Sequence, residues 1–190
     1  MRHKQVLADD EIPPGYPRDL ESTAVLADGR RVWIRPLASC DHDGLSWEIE
    51  NADSETLYLR FFTRAMRSRP DFVATLVDID YHDELALAAI GPNGEGAGVA
   101  RYVRTDESDV AQLAIVIGRE WRNAGLAGLL LSHIQRPAWE RGIRHMTAVY
   151  LAENEAVDAL RKSQGLPAPV IRHGMAEINW DLPEPPDDVA

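Results

Sequence analysis

Cysteine is almost absent from the sequence: the 190 residues contain a single one, Cys40, so no internal disulfide can form. Long apolar runs are also missing, because Arg, Glu or His interrupts every rich stretch well before the roughly 20 residues that a bilayer-spanning helix needs. No charged-then-apolar leader opens the sequence. These absences argue against a secreted, disulfide-stabilised domain and against a membrane protein, and we expect a cytoplasmic protein.

Basic residues are scarce relative to acidic ones, at 20 against 31, and the formal net charge is −11. A field of this sign repels nucleic acids and anionic membranes, and it attracts cationic partners such as amines and lysine side chains. The five tryptophans are spread along the chain without interleaved basic residues, unlike a nucleic-acid stacking platform. The composition therefore predicts no nucleic-acid or membrane partner and favours a cationic one.

One folded domain fits the chain length and the apolar content of 45%. Residues 1–20 contain three prolines, several charges and few large apolar groups, so they predict a flexible N-terminal arm without regular structure. Residues 183–190, PEPPDDVA, predict a disordered acidic and proline-rich tail. The folded domain is therefore expected over residues 21–182.

The first part of that domain begins with RRVWIRPL, which alternates apolar and basic residues and predicts a strand with Val32, Ile34 and Leu37 buried. Asp41 and Asp43 are typical of a helix start. Helix-spaced apolar residues continue to about residue 81, and Ser54 and Asp71 are placed to cap two helices there.

Three strand-like runs follow, ELALAAIG, GAGVARYVRT and DVAQLAIVIG, and the turn-forming sequences between them predict an antiparallel meander. Residues 125–141 predict a helix that Pro137 kinks or splits. A strand at IRHMTAVYL, a helix at NEAVDALRKSQ ended by Gly165, and strands at PVIRH and MAEINWDL complete the order. This order predicts an α+β fold layered α/β/α, with a mixed, mostly antiparallel central sheet of about seven strands and flanking helices. Trp180 and the last strands are compatible with a paired edge in a homodimer.

The junction between the meander and the following helix is rich in small residues: WRNAGLAG, residues 121–128, contains Ala124, Gly125, Ala127 and Gly128. The N–H groups at a helix start lack partners and carry partial positive charge, so an anion docks there readily. The two glycines would let a diphosphate approach the backbone, and Arg122 can add a charge-assisted contact. The junction therefore predicts a pyrophosphate cradle.

Other interpretations of these motifs stay open. The glycines can instead permit tight packing of the helix on the sheet, and the pattern matches neither GxxxxGK[ST] nor a GxGxxG that opens a parallel βαβ unit. The acidic run DIDYHDE can be drawn as a metal site, but a solvated turn explains it, and no metal is expected. Cys40 at a helix start can be drawn as a nucleophile, although no histidine partner can be assigned to it.

The cradle resembles the R/Q-x-x-G-x-G/A signature of the GNAT superfamily of N-acetyltransferases, through Arg122, Gly125 and Ala127. The element order resembles that superfamily over about residues 24–181, and LAENEAVDALRKSQGL resembles its later motif. DGRRVWIRPL, SETLYLRFF and VDIDYHDELALAAI are similar to segments of bacterial protein-lysine acetyltransferases.

The resemblance implies that acetyl-CoA, or another acyl-CoA, is the cosubstrate. It implies that the strand before the cradle splays from its neighbour at a bulge, that its backbone pairs with the pantetheine arm, and that Asn154 contacts the same region. The residues expected to bind the coenzyme are Leu113, Ile115, Val116, Ile117, Arg122, Asn123, Ala124, Gly125, Leu126, Ala127, Gly128, Asn154 and Arg161.

The catalytic residues are not assigned, because the chain departs from the family pattern at two positions. Gln112 stands where related enzymes have a base glutamate, and an amide orients an amine but accepts no proton. Arg161 stands where many members have a tyrosine that acts as general acid. A guanidinium does not give up its proton at neutral pH, but it can bind a phosphate. Other base candidates near the meander, each also explained as a turn or capping residue, are His82, Asp83, Glu84, Glu107 and Asp109.

Two functions follow from this resemblance. The first is an acetyl-CoA-dependent N-acetyltransferase in which an amine, such as a protein lysine, attacks the thioester directly, and a small-molecule amine acetyltransferase differs from it only in the acceptor. The second is an acyl-CoA-binding or regulatory module with weak or no catalysis, which Gln112 and Arg161 favour.

Overall fold

The computed structural model describes residues 2–51 and 72–185, and the structural statements below concern those residues. Its strands are β1 (Ser22–Val25), β2 (Arg31–Pro36), β3 (Glu84–Ile90), β4 (Gly96–Arg104), β5 (Val110–Ile117), β6 (His145–Leu151), β7 (Val170–Arg172) and β8 (Met175–Asp181). Its α-helices are α1 (His42–Asn51), α2 (Phe72–Val77), α3 (Leu126–Glu140) and α4 (Glu155–Ser163).

All eight strands belong to one sheet, in the order β1-β2-β3-β4-β5-β6-β8-β7. Neighbouring strands are antiparallel except for β5 and β6, which are parallel. This confirms the mixed, mostly antiparallel sheet and the meander of β3, β4 and β5. The sequence analysis missed β1, because four residues with short side chains carry too little apolar pattern to predict a strand. β1 forms a hairpin with β2, and Gly29 supplies the positive φ of 85° that its turn requires.

The helices cover both faces of the sheet, as the predicted α/β/α layering requires. On one face, Arg101 of β4 donates hydrogen bonds to the carbonyls of Thr75 and Leu76 in α2. On the opposite face, a Cβ built on Gly98 of the same strand would lie 3.4 Å from Leu126 of α3. Val32, Ile34 and Leu37 are buried as predicted.

Helix α3 continues through Pro137, so the split, one of the two effects expected of this proline, does not occur. The helix runs from Leu126 to Glu140 with Pro137 inside it and buried. Proline costs a helix the hydrogen bond to the carbonyl one turn earlier. Here it stands in the last turn, so little helix remains beyond it to be disrupted.

The N-terminal segment packs against the domain, in contrast to the arm without regular structure that its composition predicted. It forms two 3-10 turns, Asp9–Glu11 and Arg18–Leu20, and it buries Leu7 and Tyr16. The His3 amide donates to the carbonyl of Gly94 at 2.7 Å. The segment therefore covers one face of β2.

Arg35 shows the consequence of this packing. The alternation in RRVWIRPL placed Arg35 on an outer face, yet its side chain is 1% exposed. Its guanidinium donates to the carbonyl of Lys4 and to both carboxylate oxygens of Asp41, at 2.7 and 2.8 Å. Asp41, expected at a helix start, also accepts a hydrogen bond from the Ala38 amide. Both residues therefore belong to a buried ion pair beneath the N-terminal segment.

The proposed caps Ser54 and Asp71 and the end of the tail, residues 186–190, lie outside the described residues. Within the part of the chain that is described, no helix has the length and apolar character to cross a membrane. Trp180, named as a residue of a dimer edge, is 7% exposed and lies inside the sheet, because the outer strand is β7. The homodimer stays a prediction.

Candidate active site

A gap opens between the two parallel strands. β5 and β6 pair only from Val110 with His145 to Gln112 with Thr147, although the strands continue to Ile117 and Leu151. Because β4 pairs with β5 along its whole length without a register shift, one edge of residues 113–117 is paired and the other faces the gap. The structure therefore has the expected splay, but β5 reaches it without the expected bulge.

The gap ends at the start of α3, where the backbone turns through two left-handed residues. Asn123 has a φ of 62° and Gly125, the N-cap, has a φ of 83°. No side chain of the described residues caps the helix, so the amides of Leu126, Ala127 and Gly128 lie in an uncapped first turn. A Cβ on Gly125 would have nothing within 4 Å, which shows that this side of the turn is open. Uncapped amides beside an open turn fit an anionic group such as a diphosphate.

The gap and the turn line one cavity of about 550 Å³. We call it the coenzyme cavity, after the residues predicted to bind the coenzyme. Its walls include all of the predicted coenzyme residues except Ala124, whose side chain is buried and whose carbonyl accepts from the Ala27 amide at 3.3 Å. The cavity has further walls that the sequence analysis did not assign to the coenzyme: Trp121, Leu131, Ala148, Val149, Tyr150, Leu160, Gln164, Leu166, Ile178 and Trp180. Trp121 and Leu131 flank the cradle, whereas the others come from β6, β8, α4 and the residues that follow α4, which no local motif joins to the cradle.

Three of the residues predicted to bind the coenzyme also make contacts that stabilise the fold next to the cavity. Asn154 caps α4 by accepting from the Val157 amide at 3.3 Å. The Arg161 guanidinium is engaged by Asp158 and by the carbonyls of Leu166 and Pro167, so it is not positioned as a simple phosphate ligand. A Cβ on Gly128 would lie 3.0 Å from the Gln164 amide nitrogen, so Gly128 also lets α3 pack closely on α4. For Gly128 the packing interpretation holds together with its place in the cradle.

A second cavity of about 1130 Å³ lies on the other face of the sheet. Ala114 and Val116 line both cavities, so they separate the two across a single strand. The second cavity is lined by β3, β4, α1 and the N-terminal segment, and its polar lining includes Glu48, Asn51 and Glu95. The exposed Trp47 stands at its wall. We call this the acceptor-side cavity.

Gln112 lies at the last paired position before the splay, opposite Val103 of β4 and Thr147 of β6. Since side chains alternate along a strand, Gln112 shares the sheet face of Ala114 and Val116, toward the acceptor-side cavity. Its side chain is exposed and lines neither cavity.

The other base candidates do not line either cavity. Asp83 pairs with Arg104 and His82, Glu84 pairs with Arg101, and Asp109 lies 3.7 Å from His145. Within the acidic run DIDYHDE, Asp80 accepts hydrogen bonds from the amides of His82 and Glu84, as a solvated turn would require. Burial raises the pKa of Cys40, which argues against a reactive thiolate there.

Glu48 is a carboxylate of the acceptor-side cavity that the sequence analysis missed. It accepts from the Gly96 amide at 2.8 Å and lies 3.2 Å from His3 Nε2, while His3 Nδ1 lies 3.0 Å from Asp41. Burial alone would lower the pKa of His3, but hydrogen bonds to Asp41 and Glu48 raise it to about 9. These contacts join residues 38 to 48 positions apart, which no local pattern can reveal.

His3 makes the stability of the protein depend on pH. Because its folded pKa is raised from 6.5 to about 9, its contribution is complete below pH 6.5 and is lost as the pH rises through about 9. This rise in the pKa of His3 corresponds to about 3 kcal/mol of folding free energy. We expect the stability advantage of the wild type over His3→Gln to shrink by that order between pH 6 and pH 10 in urea unfolding. An advantage that stays constant over this range would contradict the ion pairing.

Together, a splayed parallel strand pair, an open turn and an uncapped helix start form a cleft that suits an extended ligand with an anionic group. The acetyltransferase (GNAT) family matches residues 47–166. An acetyltransferase of Pseudomonas aeruginosa is 31% identical over 135 residues, which cover 70% of this chain and 73% of that protein.

Solved structures agree with this assignment. The GNAT domain of S. lividans PAT superposes with a TM-score of 0.81 at 30% identity, covering 88% of this chain and 99% of that one. Spermidine N-acetyltransferase from Vibrio cholerae, solved with CoA and spermine, shares the fold with a TM-score of 0.64 at 13% identity, over 80% and 95% of the two chains. The chain belongs to the acetyltransferase (GNAT) family. It is accordingly an N-acyltransferase whose cosubstrate is acetyl-CoA or another acyl-CoA.

Proposed function

We propose that this protein transfers the acetyl group of acetyl-CoA to a primary amine, with a lysine side chain of a protein as the acceptor. The observation that carries the proposal is the position of Ala114 and Val116, which line both cavities. A thioester held along β5 is then within reach of an amine that enters from the other face of the sheet.

On the coenzyme side, the amides of residues 123–128 bind the diphosphate, and Arg122 adds its charge. On the edge of β5 that faces the gap, the main-chain groups of Leu113, Ile115 and Ile117 pair with the pantetheine arm, and Val116 lines the same cavity. Asn154 and Arg161 border the same cavity from α4. The contacts along β5 use main-chain groups, which agrees with the apolar side chains of that strand.

The chemistry needs few side chains. The amine nitrogen attacks the thioester carbonyl, and a backbone N–H near Val116 stabilises the developing oxyanion. The carbon–sulfur bond then breaks with the electron pair leaving on sulfur, and the proton that the nitrogen loses passes to the thiolate, which leaves as the free thiol. The amine must be deprotonated first, which at pH 7 costs a lysine about 4.6 kcal/mol. Gln112 can orient the amine without removing this cost.

A lysine acceptor is supported by charge and by similarity. The chain carries a net charge of −11, which attracts cationic acceptors over a distance. The lining of the acceptor-side cavity carries both signs, with Glu48, Glu95 and Glu120 beside Arg2, Arg30, Arg101 and Arg119, so the support comes from the net charge of the chain. The similarity to the GNAT domain of PAT extends over 88% of the chain. Polyamines and other small amines are the competing acceptors.

The test is a thiol-release assay with acetyl-CoA and a panel of lysine peptides, lysine-bearing proteins and polyamines. We expect thiol release with protein or peptide lysine, and a mass increase of one acetyl group on the acceptor. Release with polyamines alone would replace the lysine acceptor by a small-molecule one.

Gln112 favours a second function, an acyl-CoA-binding module with weak or no catalysis. Gln112 has an amide where a base needs a carboxylate, and none of the other base candidates considered above lines either cavity. The module predicts coenzyme binding without thiol release for any amine, so the same assay, run beside a binding titration, separates the two functions.

The cradle can be tested with two glycines that share a backbone conformation. Gly125 and Gly142 have φ values of 83° and 85°, and a Cβ on either would meet nothing within 4 Å. Valine at either position is strained, by about 1–2 kcal/mol for a left-handed residue. Only Gly125 lines the coenzyme cavity.

We expect Gly125→Val to weaken coenzyme A binding by about 10- to 100-fold, the loss of a hydrogen bond to a charged group. Gly142→Val is the matched control and should lose similar stability with unchanged affinity. Calorimetric titration measures both. Equal affinities of the two variants would rule out the cradle.

A further inference from the structure

Two buried hydrogen-bond donors in the coenzyme cavity have no acceptor among the residues that the structure describes. They are the Tyr150 hydroxyl and the Trp180 indole N–H. Tyr150 is 5% exposed and Trp180 is 7% exposed, and both line the cavity. Buried donors are nearly always satisfied, and leaving one unpaired weakens a protein measurably. Two such donors in one cavity therefore indicate acceptors that arrive with a ligand.

The register of the sheet places both donors on the same wall. Tyr150 of β6 pairs with Ala176 of β8, and Trp180 of β8 pairs with Met146 of β6. Because side chains alternate along each strand, Met146, Tyr150 and Trp180 share one face. This wall lies across the splay from the unpaired edge of β5. The gap thus has main-chain groups on one side and two side-chain donors on the other.

The surroundings favour donation by Tyr150. Burial and the nearby Asp158 carboxylate raise the pKa of its hydroxyl, and the charge of Arg161 and a hydrogen bond from its guanidinium offset this in part, so the group keeps its proton at neutral pH. A guanidinium only donates, so this contact leaves the hydroxyl proton without an acceptor, and the Asp158 carboxylate is already paired with Arg161 and Lys162. Trp180 can only donate.

We propose that Tyr150 and Trp180 donate hydrogen bonds to acceptor oxygens of the pantetheine arm and its acyl end. Trp180 lies opposite Met146, near the closed end of the splay, and Tyr150 lies further along β6 toward Asn154. The inference rests on the proposed function, in which an acyl-CoA fills this cavity. Amide and thioester carbonyls are the acceptors that this arm offers, and adenosine 3′,5′-bisphosphate lacks all of them.

Tyr150→Phe removes one oxygen and is the decisive variant. Because the hydroxyl proton has no acceptor among the described residues of the free protein, its removal should leave thermal stability unchanged or raise it. Affinity for coenzyme A should fall by about 3- to 10-fold, the range of a lost neutral hydrogen bond. Affinity for adenosine 3′,5′-bisphosphate should not change. Trp180→Phe should change the two affinities in the same way.

Tyr102→Phe is the matched control. Tyr102 is also a buried tyrosine of the sheet, but its hydroxyl donates to the His82 carbonyl at 3.0 Å and it lines neither cavity. We expect this variant to lose stability and to bind coenzyme A normally. If Tyr150→Phe instead loses stability and binds coenzyme A as tightly as the wild type, the inference is overturned. The proposed function is not affected by that result as long as the wild type binds coenzyme A. Absence of binding by the wild type would instead remove the proposed function.

Discussion

Gln112→Glu increases the rate of acetyl transfer to a lysine acceptor, by about 100-fold or more, because a positioned base typically contributes about 10²- to 10⁴-fold. Glutamate has the shape of glutamine, so it fits the last paired position of β5 without disturbing the splay. Its carboxylate would face the acceptor side, on the sheet face of Ala114 and Val116. The measurement is kcat/KM for the amine as a function of pH, and the largest gain is expected near neutral pH, where the free amine is scarce.

Val103→Glu is the control for this variant. Val103 lies on the neighbouring strand β4, directly opposite Gln112, and is 41% exposed. A glutamate at position 103 therefore adds the same charge to the same face of the sheet, one strand farther from the splay. We expect it to change kcat/KM little. Equal rates for wild type and Gln112→Glu, with intact coenzyme binding, would show that position 112 does not meet the acceptor.

Asp41→Asn destabilises the protein by about 3–5 kcal/mol, since breaking a buried pair leaves an uncompensated charge. Arg35 and Asp41 have side chains that are 1% and 2% exposed, and two hydrogen bonds join them. Burial alone would raise the pKa of Asp41, but the hydrogen bonds from Arg35 and His3 lower it to about 2. Its contribution is therefore present above its ordinary pKa and is lost as the pH falls toward 2. Urea unfolding at pH 7 measures the loss.

Asp43→Asn provides the comparison, because the Asp43 side chain is 65% exposed and contacts His42 at the surface. A change within about 0.5 kcal/mol is expected there. The double variant Arg35→Met with Asp41→Leu should recover much of the stability lost by Asp41→Asn, since apolar replacement of both partners is tolerated better than loss of one. A loss equal to that of Asp43→Asn would mean that the pair is not buried in solution.

The elements that the sequence predicts correctly are those whose pattern is local. The meander of β3, β4 and β5 has alternating runs and turn residues in one continuous stretch, and α4 begins at a capping asparagine and is followed by Gly165, with a φ of 66°. The errors at Arg35 and in the N-terminal segment concern contacts between distant segments. Arg35 follows a surface-like alternation but is buried, because residues that precede it by about thirty positions cover it.

The site divides in the same way. The cradle is contiguous in sequence, from Arg122 to Gly128, so its small residues predict it. The far wall of the cavity, with Tyr150 and Trp180, is brought there by strand order. Glu48 lines the acceptor-side cavity, where its carboxylate accepts a hydrogen bond from the Gly96 amide. No pattern within a single segment could have predicted these residues.

The central claim is that the splay between β5 and β6, together with the turn at residues 123–128, holds an acyl-CoA. A crystal structure of the protein grown with saturating acetyl-CoA tests it most directly. The account predicts the diphosphate against the amides of the α3 start and the pantetheine arm between the two strands, with the acyl group beside Ala114 or Val116. A coenzyme found elsewhere, or a first turn of α3 whose amides are capped by the protein itself, would contradict it.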